Sequence, residues 1–144
     1  MTAAFDERPV DPKQGSPVPF ACEYDDGRVD QGTLNRKRVI QCALSRICGM
    51  CGDSLTWPVA FVGSAAEADA NAFTYPPLHV QCAERALDLF GGRGDGFLGR
   101  PVAPAEWAFV TTGGFELERP ANRTGDQRLR FHPNSISDDR RSST

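Results

Sequence analysis

Four residues in the middle of the chain have the types and the spacing of a metal site. Cys48 and Cys51 are separated by two residues, and His79 and Cys82 repeat that spacing further along the chain. Thiolate sulfur and imidazole nitrogen are preferred ligands of tetrahedral Zn²⁺, and four of them close its coordination shell. We therefore predict one structural Zn²⁺ bound by Cys48, Cys51, His79 and Cys82.

The local sequence around each pair suits this chemistry. The first pair lies in a turn flanked by glycines, whose backbone N–H groups can support thiolates. The second pair follows Pro77 and is predicted to lie on the first turn of a helix, where the helix dipole favours the thiolate of Cys82.

Other uses of these cysteines fit the sequence less well. A thioredoxin-like redox pair expects a strand before it, a helix directly after it and no second ligand pair. A catalytic zinc keeps one position for water, which four protein ligands fill. The zinc deaminase signature needs His-x-Glu, whereas Val80 and Gln81 follow His79. Cys22 and Cys42 are predicted to be small buried side chains rather than further ligands.

Two helices are predicted around these ligands. Apolar residues from Val39 to Ile47 recur at helical spacing behind a possible N-cap, Asn35, which predicts a helix over 36–47. A second apolar face predicts a helix over 78–90, which ends before a pair of glycines.

Alternating apolar residues and turn residues predict β structure in the rest of the chain. The predicted elements are a short hairpin over 20–30, a hairpin of 57–62 with 72–75 around a loop over 63–71, a linker over 91–104, and a three-stranded meander of 107–111, 115–118 and 127–131. The aromatic residues of these strands, Trp57 among them, are predicted to be buried.

The order of these elements resembles the treble-clef family of zinc-binding modules, in which a CxxC knuckle is followed by a hairpin and a helix that carries the second ligand pair. The resemblance covers about residues 46–90. The ligand spacing, with Tyr75 ahead of His79, is similar to that of the zinc fingers of poly(ADP-ribose) polymerases, and the knuckle Arg46-x-Cys48-x2-Cys51-Gly52 is similar to that of small uncharacterised bacterial proteins. The resemblance implies zinc binding and an α+β fold. Treble clefs serve in DNA binding, protein binding, nuclease chemistry and structural roles, so it does not select one of these.

Composition limits the class of protein. The chain has 144 residues and a mass of 15.7 kDa, the size of one domain, with 40% apolar and 24% charged residues. Asp6 and Glu7 stand where a signal peptide would be basic and then apolar, and no apolar run has the length of a membrane span, so we expect a cytoplasmic protein. Reduced thiols in that compartment favour metal ligation over disulfides. The excess of Arg over Lys indicates a GC-rich bacterial or phage gene.

Proline and polar residues at the two ends set the predicted domain limits. We predict a disordered arm over 1–19, a single zinc-stapled domain over 20–134 and a disordered tail over 135–144. Within the domain, the zinc module covers about 46–90 and the β-meander about 105–132.

The charge distribution suggests a partner. A net charge of -3 excludes a uniformly basic nucleic-acid binder, but basic residues gather beside the knuckle. The residues predicted to contact nucleic acid are Arg36, Lys37, Arg38, Arg46 and Arg85. The same pattern is typical of a solvated helix face. We expect a non-enzymatic zinc-binding module that binds nucleic acid or a partner protein, and the alternative is a metal-dependent nuclease or accessory enzyme that uses His132.

Overall fold

The structure is a computed structural model of the chain, and it describes residues 5–11, 15–24, 26–28, 30, 32–90, 95–120 and 128–143. Within these ranges the helices are α1 (Arg36–Ser45), α2 (Ala65–Ala70) and α3 (Val80–Phe90). The strands are β1 (Val59–Ser64), β2 (Leu78–His79), β3 (Asp95–Phe97), β4 (Arg100–Val102), β5 (Glu106–Thr112), β6 (Phe115–Glu118), β7 (Arg130–Pro133) and β8 (Ile136–Ser143). Helices and antiparallel sheets share the chain, which confirms the predicted α+β class. No helix in the described part of the chain is long and apolar enough to cross a bilayer.

The centre of the fold is a four-stranded antiparallel sheet in the order β2-β1-β5-β8. Its two inner strands pair along their length, with Phe61 opposite Val110. Residues 59–63 of β1 and 107–112 of β5 are all buried. A strand that is covered on both faces has a continuous apolar run in its sequence, and both strands have one.

The predicted hairpin of 57–62 with 72–75 is wrong in its partner. β1 pairs instead with β2, which places Val59 opposite His79. Phe73, in the segment predicted to be the second strand, forms a single isolated bridge with Phe131. The strand that pairs with β1 is therefore the segment that contains His79, one of the four residues predicted to bind the metal.

Helix α2 takes the place of the predicted loop over 63–71. The Ser64 hydroxyl accepts a hydrogen bond from the Glu67 N–H at 3.1 Å, and the Glu67 carboxylate accepts one from the Ser64 N–H at 2.9 Å. The same carboxylate accepts from the Thr74 N–H and forms an ion pair with Arg100. Ser-x-x-Glu is a capping box, and this signal in the sequence identifies the helix.

The predicted three-stranded meander is wrong in its pairing, although each of its segments has a strand counterpart. β5 pairs with β1 and β8, whereas β6 and β7 form a separate two-stranded sheet. Consecutive residues from Trp107 to Val110 of β5 are buried, so both faces of this strand are covered. β6 alternates half-buried and exposed residues, which is typical of a strand with one face in solvent. The β6–β7 pair is anchored by Phe115 and Phe131, whose ring centroids lie 5.5 and 5.8 Å from that of Phe61.

The predicted disordered tail over 135–144 is corrected by the structure. Its residues 136–143 form β8, which pairs with β5 from Glu106 to Thr112. The buried central strand β5 would otherwise leave its backbone groups unpaired along one edge, and the tail supplies their hydrogen-bond partners. A polar composition suggested disorder, but this strand is held by backbone pairing rather than by apolar side chains.

The predicted disordered arm over 1–19 also contains ordered structure where it is described. Phe5 and Val18 are fully buried in the core. The Arg8 guanidinium donates to the Val18 carbonyl at 2.8 Å and forms an ion pair with Glu23. These apolar anchors and the Arg8 cation leave the segment rich in proline and polar residues, which is why the sequence pattern suggested disorder.

Helices α1 and α3 agree with the two predicted helices apart from small shifts at their ends. The Asn35 side chain caps α1 as predicted by accepting from the Lys37 N–H, and α1 ends before Arg46, whose φ of 54° is left-handed. α3 begins two residues later than predicted because Leu78 and His79 pair with β1.

The predicted linker over 91–104 contains a small hairpin. β3 and β4 pair antiparallel, with Gly99 in the turn at a φ of 74°. A Cβ at Gly99 would lie 2.5 Å from the Leu34 side chain, so the turn packs closely against the segment before α1. Residues 91–94 of the predicted linker lie outside the described residues.

The predicted hairpin over 20–30 keeps its turn, but neither of its arms is a strand in the residues described there. Phe20–Cys22 is a single 3-10 turn. The Tyr24 N–H donates to the Arg28 carbonyl at 2.9 Å, which closes the turn. Residues 25 and 29 lie outside the described part of the chain.

Candidate metal centre

The first ligand pair lies in a tight turn between α1 and β1. Ile47 and Ser54 form a bridge across its base, and the Cys48 N–H donates to the Asp53 carbonyl at 2.8 Å. Gly52 has a φ of 80°, and a Cβ there would lie 2.8 Å from the Phe20 ring. Glycine is therefore required at this corner both by the backbone conformation and by the close approach of the ring.

The turn packs on the segment that leads to the second ligand pair. The Gly49 N–H donates to the Pro77 carbonyl at 2.9 Å, and the Tyr75 hydroxyl donates to the Gly49 carbonyl at the same distance. A Cβ at Gly49 would lie 2.9 Å from the Pro76 side chain. These backbone contacts bring the CxxC turn beside β2 independently of the ligand side chains.

The second ligand pair spans the junction of β2 and α3. His79 is the last residue of β2, and Cys82 lies in the first turn of α3. The four residues Cys48, Cys51, His79 and Cys82 are all buried. The structure thus brings the two pairs together from a turn and from a strand–helix junction.

The spacing of the four donor atoms fits a single tetrahedral ion. All four lie within 4.8 Å of one another. His79 Nδ1 is 3.4 Å from Cys51 Sγ and 3.7 Å from Cys82 Sγ. Zn–S bonds of about 2.3 Å and Zn–N bonds of about 2.0 Å give a tetrahedron with S···N edges of roughly 3.6 Å. The group could therefore hold one metal ion.

Hydrogen bonds around the group orient two of its members. His79 Nε2 lies 2.8 Å from the Ser54 carbonyl oxygen, which can only accept, so Nε2 carries the proton. Nδ1 is then the ring nitrogen with a lone pair for a metal, as in many metal-binding histidines. The N–H groups of Met50 and His79 both donate to Cys48 Sγ at 3.4 Å.

The electrostatics of the group concentrate negative charge on one sulfur. Burial raises the pKa of Cys48, but hydrogen bonds from Cys51, Cys82 and His79 outweigh it and hold the pKa well below its usual value. Hydrogen bonding to Cys48 raises the pKa of Cys51 to about 11 and also raises those of Cys82 and His79. A thiolate at Cys48 is thus favoured over one at Cys51 or Cys82, and a bound dication would replace the protons of those two thiols.

The remaining cysteines lie apart from the four-residue group. Cys22 and Cys42 are buried free thiols. Burial raises the pKa of Cys22 to about 12, and burial likewise raises the pKa of Cys42. Both thiols are therefore protonated at neutral pH.

The structure disperses the residues of the predicted basic face. Arg38 pairs with Glu23 at 2.9 Å, and Arg85 pairs with Asp6 at 3.2 Å. Arg46, directly after α1, lies over the Trp57 ring at 5.5 Å. The two remaining residues lie at the start of α1 and are exposed; they are Arg36 and Lys37.

Trp57 was predicted to be a buried core residue, and this prediction is wrong. It is 46% exposed, whereas the other tryptophan, Trp107, is 1% exposed. The prediction failed because Trp57 precedes β1 instead of lying within a hairpin, so its side chain has no opposite strand to cover it.

His132, the residue considered for nuclease chemistry, lies on β7. Its Nδ1 is 2.7 Å from the Asn71 carbonyl, and its Nε2 is 2.7 Å from the Glu118 carboxylate. Both ring nitrogens therefore donate to oxygen acceptors, and His132 does not belong to the four-residue group. The hydrogen bond to Glu118 is the main cause of a raised pKa at His132, followed by the bond to Asn71.

Sequence reasoning missed the groups that support the ligands. The Ser54 carbonyl and the Tyr75 hydroxyl both contact the centre, the first through His79 and the second through Gly49. A backbone carbonyl leaves no mark in the sequence. Tyr75 is visible in the sequence as an aromatic residue before Pro76, but the prediction used only its spacing to His79.

Comparisons of the chain with protein-family models, with curated proteins and with solved structures find no match. The chemistry of the site therefore has to be argued from its own residues.

Proposed function

We propose that Cys48, Cys51, His79 and Cys82 bind one structural Zn²⁺ in a treble-clef-like module. The observation that carries the proposal is the convergence of three thiols and one imidazole within 4.8 Å. Three sulfurs and one nitrogen are a donor set typical of structural zinc. The order of CxxC turn, β1–β2 hairpin and α3 supports the likeness to treble clefs.

The donor set and its burial favour a structural role over a catalytic one. Four protein ligands leave no position for a reacting water, and the ligands are buried. When bound, zinc of this kind contributes on the order of 10–16 kcal/mol to folding in small zinc domains. The chain's own residues do the rest: the Ser54 carbonyl fixes the His79 tautomer, and two N–H groups support the Cys48 sulfur.

Metal analysis of the purified protein tests this proposal. We expect one zinc per chain in the wild-type protein and none in Cys51→Ser or Cys82→Ser. Cys22→Ser and Cys42→Ser are matched controls that remove a buried thiol outside the group, and they should keep the metal. Wild-type protein without stoichiometric metal, or full zinc content in Cys51→Ser, would contradict the assignment.

We further propose that the module binds nucleic acid through the start of α1. The surface in question, called the α1 surface here, lines a concavity of about 320 Å³ and consists of Tyr24, Asp26, Arg28, Asn35, Arg36 and Lys37. Three of these side chains are cations and one is an acid, Asp26, whose carboxylate lies 3.8 Å from Arg28. Arg28 lies over the Tyr24 ring at 4.4 Å, so cations and an aromatic ring adjoin one another. Phosphates attract such cations and bases stack on such rings, which supports a single-stranded ligand over a duplex.

Salt-dependent binding of a labelled single-stranded oligonucleotide tests the α1 surface. If Arg36 and Lys37 each contact a phosphate, the double variant R36A/K37A should reduce the slope of log affinity against log salt by about 1.4 on a single strand. Arg85→Ala is the matched control, because Arg85 lies on α3 and pairs with Asp6. A slope near zero in the wild type, or equal losses in both variants, would contradict nucleic-acid binding here and favour a protein partner.

A nuclease remains the alternative, but no contact of the described residues favours it. The His132 ring donates through both nitrogens to Asn71 and Glu118, which gives it no lone pair for a metal or for a water molecule. Metal-dependent cleavage that His132→Ala abolishes would overturn the non-enzymatic proposal.

A further inference from the structure

The outer strand β8 is ordered although its side chains are exposed. Every residue from 136 to 142 is exposed, and the apolar side chain of Ile136 is 49% exposed. β8 pairs with β5 on one side and, among the described strands, with none on the other. Fixing a strand costs conformational entropy, which side-chain burial normally offsets. β8 is held instead by its backbone pairing with β5, and among the described strands its outer backbone edge is open to a further strand.

The charges of β8 are arranged in pairs of opposite sign along each face. Arg140 Nε lies 3.0 Å from the Asp138 carboxylate, and Arg141 Nε lies 2.8 Å from the Asp139 carboxylate. The Arg141 guanidinium also lies 3.2 Å from the Asp69 carboxylate of α2. Residues two apart in a strand share a face, so each face of β8 carries one acid and one base. The stretch from 138 to 141 has no net charge.

A neutral edge differs from one that is protected against pairing. Edges are protected by charged side chains, especially Lys, by Pro and by bulges, and charges of a single sign repel a second copy of the same strand. The four charged residues of β8, at 138–141, are two acids and two bases, so they can attract a reversed copy. Residues 136–143 contain no Pro and no Lys. Their one irregularity lies at Ser137, where Thr111 faces Asp138 and Thr112 faces Ile136, so the run from Asp138 onward is regular.

The regular run is complementary to itself when reversed. In an antiparallel pair related by a two-fold axis, residues on the same face lie opposite one another. If Arg140 lies on the axis, Asp139 of each copy faces Arg141 of the other, and Asp138 faces Ser142. The two Arg140 side chains meet at the axis, but each is compensated by its own Asp138 and lies over the Phe109 ring at 4.2 Å.

We propose that β8 is the contact strand of a homodimer. Two copies of the chain pair their β8 strands antiparallel about an axis at Arg140, which joins two four-stranded sheets into one. The contact is mostly backbone hydrogen bonding, with two Asp139–Arg141 pairs across the interface. An interface of one strand pair is small, so the dimer is weak and its population depends on concentration.

Sedimentation over a wide range of protein concentration, on the full zinc-loaded chain, tests the proposal. The wild type should self-associate into a dimer. Asp139→Arg and Arg141→Asp each replace both opposite-charge pairs by like charges, and each should weaken self-association by at least about tenfold. Mixing the two variants recreates an Arg opposite an Asp at both positions, so the mixture should dimerise more strongly than either variant alone. Arg85→Ala on α3 should leave the association unchanged.

Several results would overturn the proposal. They are a wild type that stays monomeric at the highest concentration, a dimer that both charge reversals leave unchanged, and a mixture that associates no better than its components. Melting curves and zinc content of each variant show whether it is folded. If a reversal does not fold, the neutral variants Asp139→Asn and Arg141→Gln replace it, with smaller losses of the same sign expected, and an unchanged dimer in both would overturn the proposal equally.

Discussion

The metal-ligand group and the aromatic cluster both tie distant segments together, but they do so by different physics. The aromatic cluster is the set of rings from β1, the segment after α2, β6 and β7; its members are Phe61, Phe73, Phe115 and Phe131. Its ring centroids lie 5.5 to 5.8 Å apart, and contact area is what each ring contributes. The metal-ligand group instead consists of three thiols and an imidazole, and apolar contact area between them is not what would hold them together.

This difference predicts two kinds of response to mutation. Loss of one ligand leaves the others in an incomplete shell, so the effect is nearly all-or-none. Loss of one ring removes only that ring's area and leaves a cavity, so the effect is graded.

The largest effect is expected from removing a ligand or the metal. Cys51→Ser, or a strong chelator, should unfold residues 46–90, because zinc contributes about as much free energy as the whole net stability of a typical domain. Circular dichroism melting curves with and without chelator measure this. Cys22→Ala, which removes a buried thiol outside the group, is the control and should melt as a single transition that the chelator still shifts. A wild-type curve that the chelator does not move would contradict a structural metal.

A smaller, graded loss is expected in the aromatic cluster. Phe61 contacts three other rings, and Phe61→Ala should destabilise the protein by about 3–5 kcal/mol while the zinc content stays at one per chain. Phe61→Leu keeps most of the volume and should cost less. Urea denaturation with metal analysis of each variant checks both statements. A variant that loses its zinc before it unfolds would show that the two regions are not separable.

The cap of α1 belongs to neither region and serves as a comparison for both. The Asn35 side chain accepts from the Lys37 N–H and donates to the Glu23 carbonyl at 2.8 Å. Asn35→Ala should cost about 1 kcal/mol of stability. Asn35→Asp keeps the acceptor and loses the donor, so it should fall between the wild type and the alanine variant in urea midpoint. Equal midpoints for the aspartate and alanine variants would show that the cap itself contributes nothing.

The smallest effect is expected at His132 and depends on pH. Hydrogen bonds to Glu118 and Asn71 raise the pKa of His132 above its ordinary value, and the negative charge of Glu116 raises it further. A raised folded-state pKa means that the stabilisation is fully present below the unfolded pKa and is lost as pH rises through the folded one. Glu118→Gln should therefore lower the urea midpoint more at about pH 6 than at about pH 9. The same shift at both pH values would contradict a charged His132.

The sequence predicted the ligand group better than the sheet around it. The four-residue group that could hold a metal ion, Asn35 as a cap and the two long helices could be predicted because each depends on local spacing or on a residue type. The partner strands could not be found in this way. β1, β5 and β8 meet through pairings between residues far apart in the chain, such as Val62 with Phe109 and Phe109 with Arg140, and no local pattern encodes them.

Predictions from local composition were wrong where a few contacts decide the structure. Burial of Phe5 and Val18 orders a segment rich in proline. The polar tail forms a strand because its backbone pairs with that of β5. The basic residues near the knuckle are consecutive in sequence but separate in space, since Arg38 turns to Glu23 while Arg36 is exposed. Charge counted along a helix therefore does not describe the surface that the helix presents.

X-ray absorption at the zinc edge of the purified protein tests the central claim most directly. The account predicts a first shell of three sulfurs at about 2.3 Å and one nitrogen at about 2.0–2.1 Å. In Cys82→Ser the sulfur count should fall, if any metal is retained. A wild-type shell dominated by oxygen and nitrogen, or one with four sulfurs, would contradict the assignment of Cys48, Cys51, His79 and Cys82 as the ligands.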